Sequence, residues 1–192
     1  MHKQRLEAFS DGVIAIIITI MVLDLKVPHG EAIKDLLPLI PIFVGYVLSF
    51  IFVAIYWNNH HHLLQATQKV NGKILWANIH LLFWLSLLPF TTGWMGEHVF
   101  ASTPVILYGV NLLFCAIAYT ILAKQLISHH GQGSTLANAV GSDTKGYVSL
   151  ALYALAVIIA FWLPIVAYVI YAVVAMIWLI PDRRIEKELG RT

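Results

Sequence analysis

Long apolar runs, separated by short polar stretches, make up most of this chain. Runs of about 20 residues fit α-helices that cross a bilayer, whereas a transmembrane β-barrel would show alternating segments of about ten residues. The last apolar run is too long for one crossing, and Pro164 marks its predicted break. The pattern therefore predicts an all-α membrane protein of one domain with six helices, at residues 5–26, 38–59, 74–95, 104–127, 147–162 and 163–180.

Composition supports a membrane location. Of the 192 residues, 59% are hydrophobic and 11% are charged, against about 25% charged in soluble domains. The net charge of +2 argues against a nucleic-acid partner. The single cysteine, Cys115, excludes an intrachain disulfide. The expected surroundings are a lipid bilayer.

Positive charge is distributed unevenly between the two sides of the predicted bundle. If both termini are cytoplasmic, the outer segments hold only Lys26 and Lys34, and the inner segments hold the other ten of the 12 Lys and Arg residues. Cytoplasmic loops of membrane proteins carry such an excess. We therefore expect a multi-pass protein of the plasma membrane with both termini in the cytoplasm.

The first helix opens with an Arg-x-x-x-Phe-Ser-Asp motif and continues as an apolar segment. At about 100° per residue, one stripe of this helix holds Arg5, Phe9, Gly12, Ile16, Thr19, Ile20 and Leu23. Asp11 lies about 140° from Ile16 around the helix axis. It should face its own bundle, where an unpaired carboxylate is unfavourable. Trp76, Asn78 and His80 are possible partners.

The stripe has two interpretations. Its residues are either ordinary packing or lipid-facing side chains, with Thr19 bonded back to its own helix, or they surround a pore. In the second case, rings of Ile16, Ile20 and Leu23 from several copies form a constriction that controls ions by wetting and dewetting. Thr19 then supplies hydroxyl groups where an ion loses part of its water.

Three motifs resemble those of the transmembrane protein 175 family of potassium channels, in a form typical of prokaryotic members. They are Arg5-x-x-x-Phe9-Ser10-Asp11 with the following Gly12 to Thr19, Tyr56-Trp57-x-x-His60-His61, and Ser86-Leu87-Leu88-Pro89-Phe90. The resemblance implies a homotetramer of six-helix subunits in which helix one lines a central pore. It implies a hydrophobic filter at Ile16, Ile20 and Leu23, a hydroxyl ring at Thr19, and a structural brace of Arg5, Phe9, Ser10 and Asp11.

The expected function is therefore a potassium-permeable cation channel and not an enzyme. Monovalent cations, above all permeant potassium, are the expected ligands, with no cofactor. No Thr-Val-Gly-Tyr-Gly filter occurs in the sequence, so selectivity should be modest. The alternative is a secondary transporter or proton pathway through Asp11 and His80, although no inverted repeat is visible.

A membrane redox enzyme with histidine ligands is a third hypothesis, because the chain holds nine histidines. His60, His61 and His62 are consecutive, however, and point about 100° apart on a helix, so they cannot converge on one ion. We therefore expect no metal site.

Overall fold

Helices form all the regular structure in the described part of the chain. The computed structural model describes residues 3–67, 69–98, 101–131, 137 and 143–179. Its elements are α1 (Lys3–Leu23), a 3-10 helix (Ile33–Leu39), α2 (Ile40–Gln65), α3 (Gly72–Ser86), α4 (Leu88–Glu97), α5 (Ser102–His130), α6 (Thr144–Ile159) and α7 (Pro164–Leu179).

Four helical segments are long and apolar enough, by length and composition, to cross a membrane. They are Lys3–Leu23, Ile33–Gln65, Gly72–Glu97 and Ser102–His130. The two remaining apolar helices, α6 and α7, have 16 residues each and rise about 24 Å, somewhat less than the hydrocarbon thickness of about 30 Å. With α3 and α4 counted as one interrupted segment, the predicted all-α fold with six apolar helices is confirmed.

The third predicted helix, 74–95, corresponds to the candidate membrane span Gly72–Glu97, which the structure divides into α3 and α4. The helix is interrupted at Leu87, whose N–H donates to the Trp84 carbonyl oxygen at 3.3 Å. Pro89 explains the interruption, because a proline lacks the N–H that would bond to residue 85 and its ring clashes with that carbonyl. Pro89 instead lies in the first turn of α4, where proline is well tolerated.

The last apolar run folds back on itself between Ile159 and Pro164. The N–H groups of Trp162 and Leu163 donate to the Ile159 carbonyl oxygen at 3.0 and 2.8 Å. Pro164 is the first residue of α7, which is where the sequence predicted the break. The turn is capped by its own backbone, and the exposed side chains of Phe161 and Trp162 form its tip.

α5 lies at the centre of the bundle and contacts α3, α4, α6 and α7. Its face is fully buried at Tyr108, Leu112 and Cys115. α1 packs at one side of the bundle, against α2, α3 and α4. Only one face of α1 is therefore used to build the subunit.

Candidate ion pathway along the first helix

α1 has one buried face and one exposed face. The buried residues recur every three or four positions and are Leu6, Ser10, Ile14, Ile17 and Met21. On the opposite side the exposed fractions are 57% at Phe9, 60% at Ile16, 49% at Ile20 and 76% at Leu23. The stripe singled out in the sequence is thus the face that the subunit does not cover.

Two positions make the stripe unlike a purely apolar surface. The Thr19 hydroxyl donates to the Ala15 carbonyl oxygen at 2.9 Å, as the first interpretation of the stripe expected. Because its proton is used within the helix, the oxygen can only accept, which suits a cation. A side chain added at Gly12 would meet no atom within 4 Å. The stripe is therefore open at Gly12 and carries an acceptor oxygen at Thr19.

A buried polar network fixes the other face of α1. The Ser10 hydroxyl donates to the Leu6 carbonyl oxygen at 2.8 Å and accepts from Asn78 Nδ2 at 2.9 Å. Asn78 Oδ1 lies 2.7 Å from His60 Nε2, which must carry the proton, since the oxygen can only accept. All three side chains are buried. The network ties α1 to α3, and α3 to α2.

Asp11 pairs with Trp57 and not with the three residues suggested by the sequence. Trp57 Nε1 donates to Asp11 Oδ1 at 3.0 Å. Trp76 is 73% exposed, and His80 accepts from Trp84 Nε1 at 2.9 Å. The face of α2 that bears Trp57 meets Asp11, whereas Trp76 lies on an exposed face of α3. Asn78 bonds Ser10 and His60 instead, so the suggested partners Trp76, Asn78 and His80 are wrong.

The signature residues divide between the two faces. Ser10 and Asp11 make the contacts just described, while Phe9 is exposed and Arg5 makes no hydrogen bond or ion pair with any described residue. Lys3 was not anticipated. Its ammonium group donates to the carbonyl oxygens of Leu64 and Gln65 at 3.3 Å each, where a cation is favourable at a helix C-terminus.

One motif in the sequence contains the partners of Asp11 and Asn78. Trp57 and His60 are three residues apart in the Tyr56-Trp57-x-x-His60 motif and so lie close together on one side of α2. Trp57 bonds Asp11, and His60 bonds Asn78. His61, beside them, lies 3.4 Å from a Glu7 carboxylate oxygen. The histidine motif is thus used in helix packing.

The far end of α1 has an acidic rim. An ion pair joins Lys26 to Glu97, and the hydrogen bond that the Lys26 ammonium group donates to the Glu97 carboxylate raises the pKa of Lys26. Between α1 and α4 lies an open cavity of about 560 Å³, lined by Ile20, Asp24 and Glu97 among others. Because Lys26 neutralises Glu97, Asp24 carries the unbalanced negative charge beside the stripe.

A metal centre finds no support in the described ranges. They contain no group of three His, Cys, Asp or Glu side chains placed to hold a metal ion. The three consecutive histidines illustrate the reason: the His60 ring faces Asn78, and that of His61 faces Glu7.

Comparison with known proteins identifies the family to which this chain belongs. The family model described as endosomal/lysosomal potassium channel TMEM175 matches residues 5–89, which include every residue of the Ser10–Asn78–His60 network. The potassium channel HX13_20290 of Chryseobacterium sp. (strain P1-3) is 57% identical, over 98% of this chain and 98% of that protein. The chain belongs to the TMEM175 family.

Structural and more distant relatives agree with this assignment. The fold matches the crystal structure of a lysosomal potassium-selective channel TMEM175 homolog from Chamaesiphon minutus with a TM-score of 0.81 and 26% identity, over 94% of this chain and 97% of that one. The human endosomal/lysosomal proton channel TMEM175 is 28% identical over 84% of this chain, which spans 36% of that protein's length. TMEM175 relatives are channels, which confirms the prediction that this chain is not an enzyme.

Proposed function

We propose that this chain forms a potassium-permeable cation channel, as a homotetramer in which α1 of each subunit lines a central pore. The observation that carries the proposal is the exposed stripe of α1, which holds Thr19 and Gly12 and lies opposite a face fixed by buried hydrogen bonds. The relatives from Chryseobacterium and Chamaesiphon are named as potassium channels. The number of subunits follows the family resemblance.

Exposure alone does not distinguish a pore lining from a lipid-facing surface. The distinction comes from the polar positions, because a lipid-facing stripe gains nothing from an acceptor oxygen at Thr19 or from an open position at Gly12. Around a central axis, the same two features leave room for water and give a cation a ligand. The position of Asp24 beside Ile20 at one end of the stripe adds an attraction for cations.

In this mechanism, rings of Ile16, Ile20 and Leu23 form the constriction. A narrow apolar ring passes ions only when it is hydrated, so its wetting controls conduction. Potassium holds its water less tightly than sodium and crosses such a ring at a lower dehydration cost. No cage of backbone carbonyl groups is involved, and selectivity for potassium is modest.

Within the brace, the hydrogen bonds of Ser10 and Asp11 determine which residues of α1 face the pore. A shift of one residue in the packing of α1 would rotate the helix by about 100° and replace Ile16 with Ala15 or Ile17 on the pore axis. Ser10 and Asp11 oppose such a rotation, because their partners Asn78 and Trp57 belong to two different helices.

The alternative, a proton pathway through Asp11 and His80, remains distinguishable by experiment. Five vertebrate relatives, the human protein among them, are named as proton channels. In this chain, however, Asp11 bonds Trp57 and His80 bonds Trp84, and no hydrogen-bonded path joins the two residues within the described structure. The geometry favours the channel.

Reconstitution into liposomes tests the function. With an outward potassium gradient and a protonophore, a potassium path in the protein produces proton uptake that a pH-sensitive dye reports. With valinomycin in place of the protonophore, the same uptake requires a proton path in the protein. We expect uptake in the first arrangement above that of empty liposomes. Uptake in the second arrangement alone would contradict a potassium channel and favour the alternative.

The location and orientation are part of the same proposal. The chain is a multi-pass membrane protein, and we place it in the plasma membrane with both termini in the cytoplasm because of the distribution of Lys and Arg in the sequence. Labelling of Lys34 but not of Lys69 by an impermeant amine reagent on intact cells is the expected result. The reverse pattern would overturn the orientation.

A further inference from the structure

A small cavity lies between α2, α5, α6 and α7, away from the α1 stripe. It measures about 30 Å³, and its lining includes three tyrosines, Tyr56, Tyr119 and Tyr153, together with Phe52, Asn59 and Asp143. No residue of α1 lines it. Asp143 precedes α6 and Asn59 lies near the end of α2, so the cavity is at the same end of the bundle as the brace.

Two buried phenol groups in this cavity lack a protein partner. Tyr56 is 8% exposed and Tyr153 is 3% exposed, yet neither hydroxyl makes a hydrogen bond within the described part of the chain, unlike those of Tyr108 and Tyr171. A buried tyrosine hydroxyl usually finds a partner. These two hydroxyl oxygens are not among the fully enclosed unpaired atoms, and both residues line the cavity, so the hydroxyls are available to a molecule bound there.

The side-chain donors around the cavity are already used inside the protein. Asn59 Nδ2 donates to the Ile55 carbonyl oxygen at 2.8 Å, and the Thr120 hydroxyl donates to that of Ala116 at 2.9 Å. Trp178 Nε1 donates to Ser149 Oγ at 2.8 Å, and the Ser149 hydroxyl donates to the Lys145 carbonyl oxygen, also at 2.8 Å. The groups still available to a bound molecule are therefore oxygen lone pairs, which accept hydrogen bonds, and the two phenol hydroxyls.

Charge and aromatic rings specify the guest further. Asp143 adds a carboxylate, and no Lys, Arg or His side chain is among the described lining residues. The Tyr56 and Tyr119 rings stand 66° apart at a centroid distance of 6.1 Å, and those of Phe52 and Tyr153 stand 61° apart at 6.2 Å. All four rings line the cavity, and aromatic faces attract cations. A cation that donates hydrogen bonds fits this lining.

We propose that this cavity binds a primary ammonium group, either of a small alkylammonium ion or of a phosphatidylethanolamine headgroup. On the measure by which one water needs about 10–15 Å³, a cavity of 30 Å³ admits an ammonium group with one attached carbon and excludes a quaternary ammonium. A lipid headgroup is one of the two sources because Asp143 caps the start of α6, an apolar helix. The proposal is independent of potassium conduction.

Thermal unfolding of the purified protein in detergent tests binding. We expect methylammonium chloride to raise Tm in a saturable way, while equal concentrations of potassium chloride and tetramethylammonium chloride do not. Tyr153→Phe removes a hydroxyl that has no protein partner, and Asp143→Asn removes the charge while keeping an N-cap for α6. Both variants should abolish the Tm shift. Tyr168→Phe, a half-buried tyrosine outside the cavity, should retain it.

Native mass spectrometry separates the two sources of the ammonium group. Retention of phosphatidylethanolamine over phosphatidylcholine in the wild type, lost in Asp143→Asn, identifies the lipid headgroup. A methylammonium shift without lipid retention identifies a soluble amine. The proposal is overturned if the Tm shift is the same for all three salts, or if neither probe distinguishes the wild type from Tyr153→Phe, as for a cavity that holds only water.

Discussion

Replacement of Asn78 with alanine is the sharpest test of the brace, because this one side chain joins three helices. Its amide contacts Ser10 Oγ at 2.9 Å and His60 Nε2 at 2.7 Å. Hydrogen bonds between membrane helices contribute about 0.6 kcal/mol on average and up to about 1.7 kcal/mol. His60 Nδ1 already has no partner among the described residues, so the variant leaves a buried imidazole wholly unpaired.

Two lost bonds at the average value, together with about 1–3 kcal/mol for the unpaired buried polar group, give a loss of about 2–4 kcal/mol in the free energy of unfolding. The folded-to-unfolded ratio should therefore fall roughly 30- to 700-fold. Titration with sodium dodecyl sulfate in mixed micelles, followed by tryptophan fluorescence, measures this change.

The matched control is Asn58→Ala on the neighbouring helix. Asn58 is exposed and makes no hydrogen bond with any described residue, so its replacement should change stability by no more than about 0.5 kcal/mol. If Asn78→Ala proves no more destabilising than Asn58→Ala, the hydrogen bonds from Asn78 do not hold α1 in place and the account of the brace is wrong.

Three further substitutions extend the test. Trp57→Phe keeps the ring but removes the donor to Asp11, and should lower the unfolding free energy by about 1 kcal/mol, with no additional loss when combined with Asp11→Asn. Gly96→Ala places a methyl group 2.9 Å from the Ile42 Cα, and should be destabilising by about 1–3 kcal/mol in the same titration. The methyl group added by Gly12→Ala meets no atom within 4 Å, so this substitution should raise the unfolding free energy by up to about 1 kcal/mol. It should nevertheless reduce potassium flux in liposomes, because the methyl group projects from the stripe. Unchanged flux would count against the stripe as the pore lining.

Much of the fold was predictable because hydrocarbon thickness sets helix length. Six apolar segments follow from run length alone, and Pro164 was enough to place the turn between α6 and α7. The interruption at Leu87 was missed, although Pro89 was visible. A proline within an apolar run allows either a kinked helix or a break, and the choice depends on how α4 packs against α2 and α5.

The site was predictable in part, for a geometric reason. Rotation by 100° per residue separates Asp11 from Ile16 within one helix, so the two faces can be predicted without knowing the neighbouring helices. The partner of Asp11 cannot be predicted without knowing how those helices pack. Trp57 and Trp76 occur at the same end of the bundle, and only the packing of α1 against α2 shows that Trp57 reaches the carboxylate.

The sequence also drew attention to the wrong histidine. His80 lies within an apolar helix and was the more obvious polar partner, yet it bonds Trp84, four residues along its own helix. His60 belongs to a row of three histidines, and its connection to Ser10 passes through Asn78. A relay of this kind depends on side chains from three helices and cannot be read from spacing in one.

The central claim is that the stripe of α1 lines the potassium pathway, and cysteine accessibility in single-channel recordings tests it most directly. Ag⁺ resembles potassium in size and binds thiols, while the native Cys115 is fully buried. Ile16→Cys should be blocked by Ag⁺ in a conducting channel. Ile18→Cys, about 160° away around α1 and packed against the bundle core, and the wild type should not be blocked. Block of Ile18→Cys with no effect on Ile16→Cys would contradict the account.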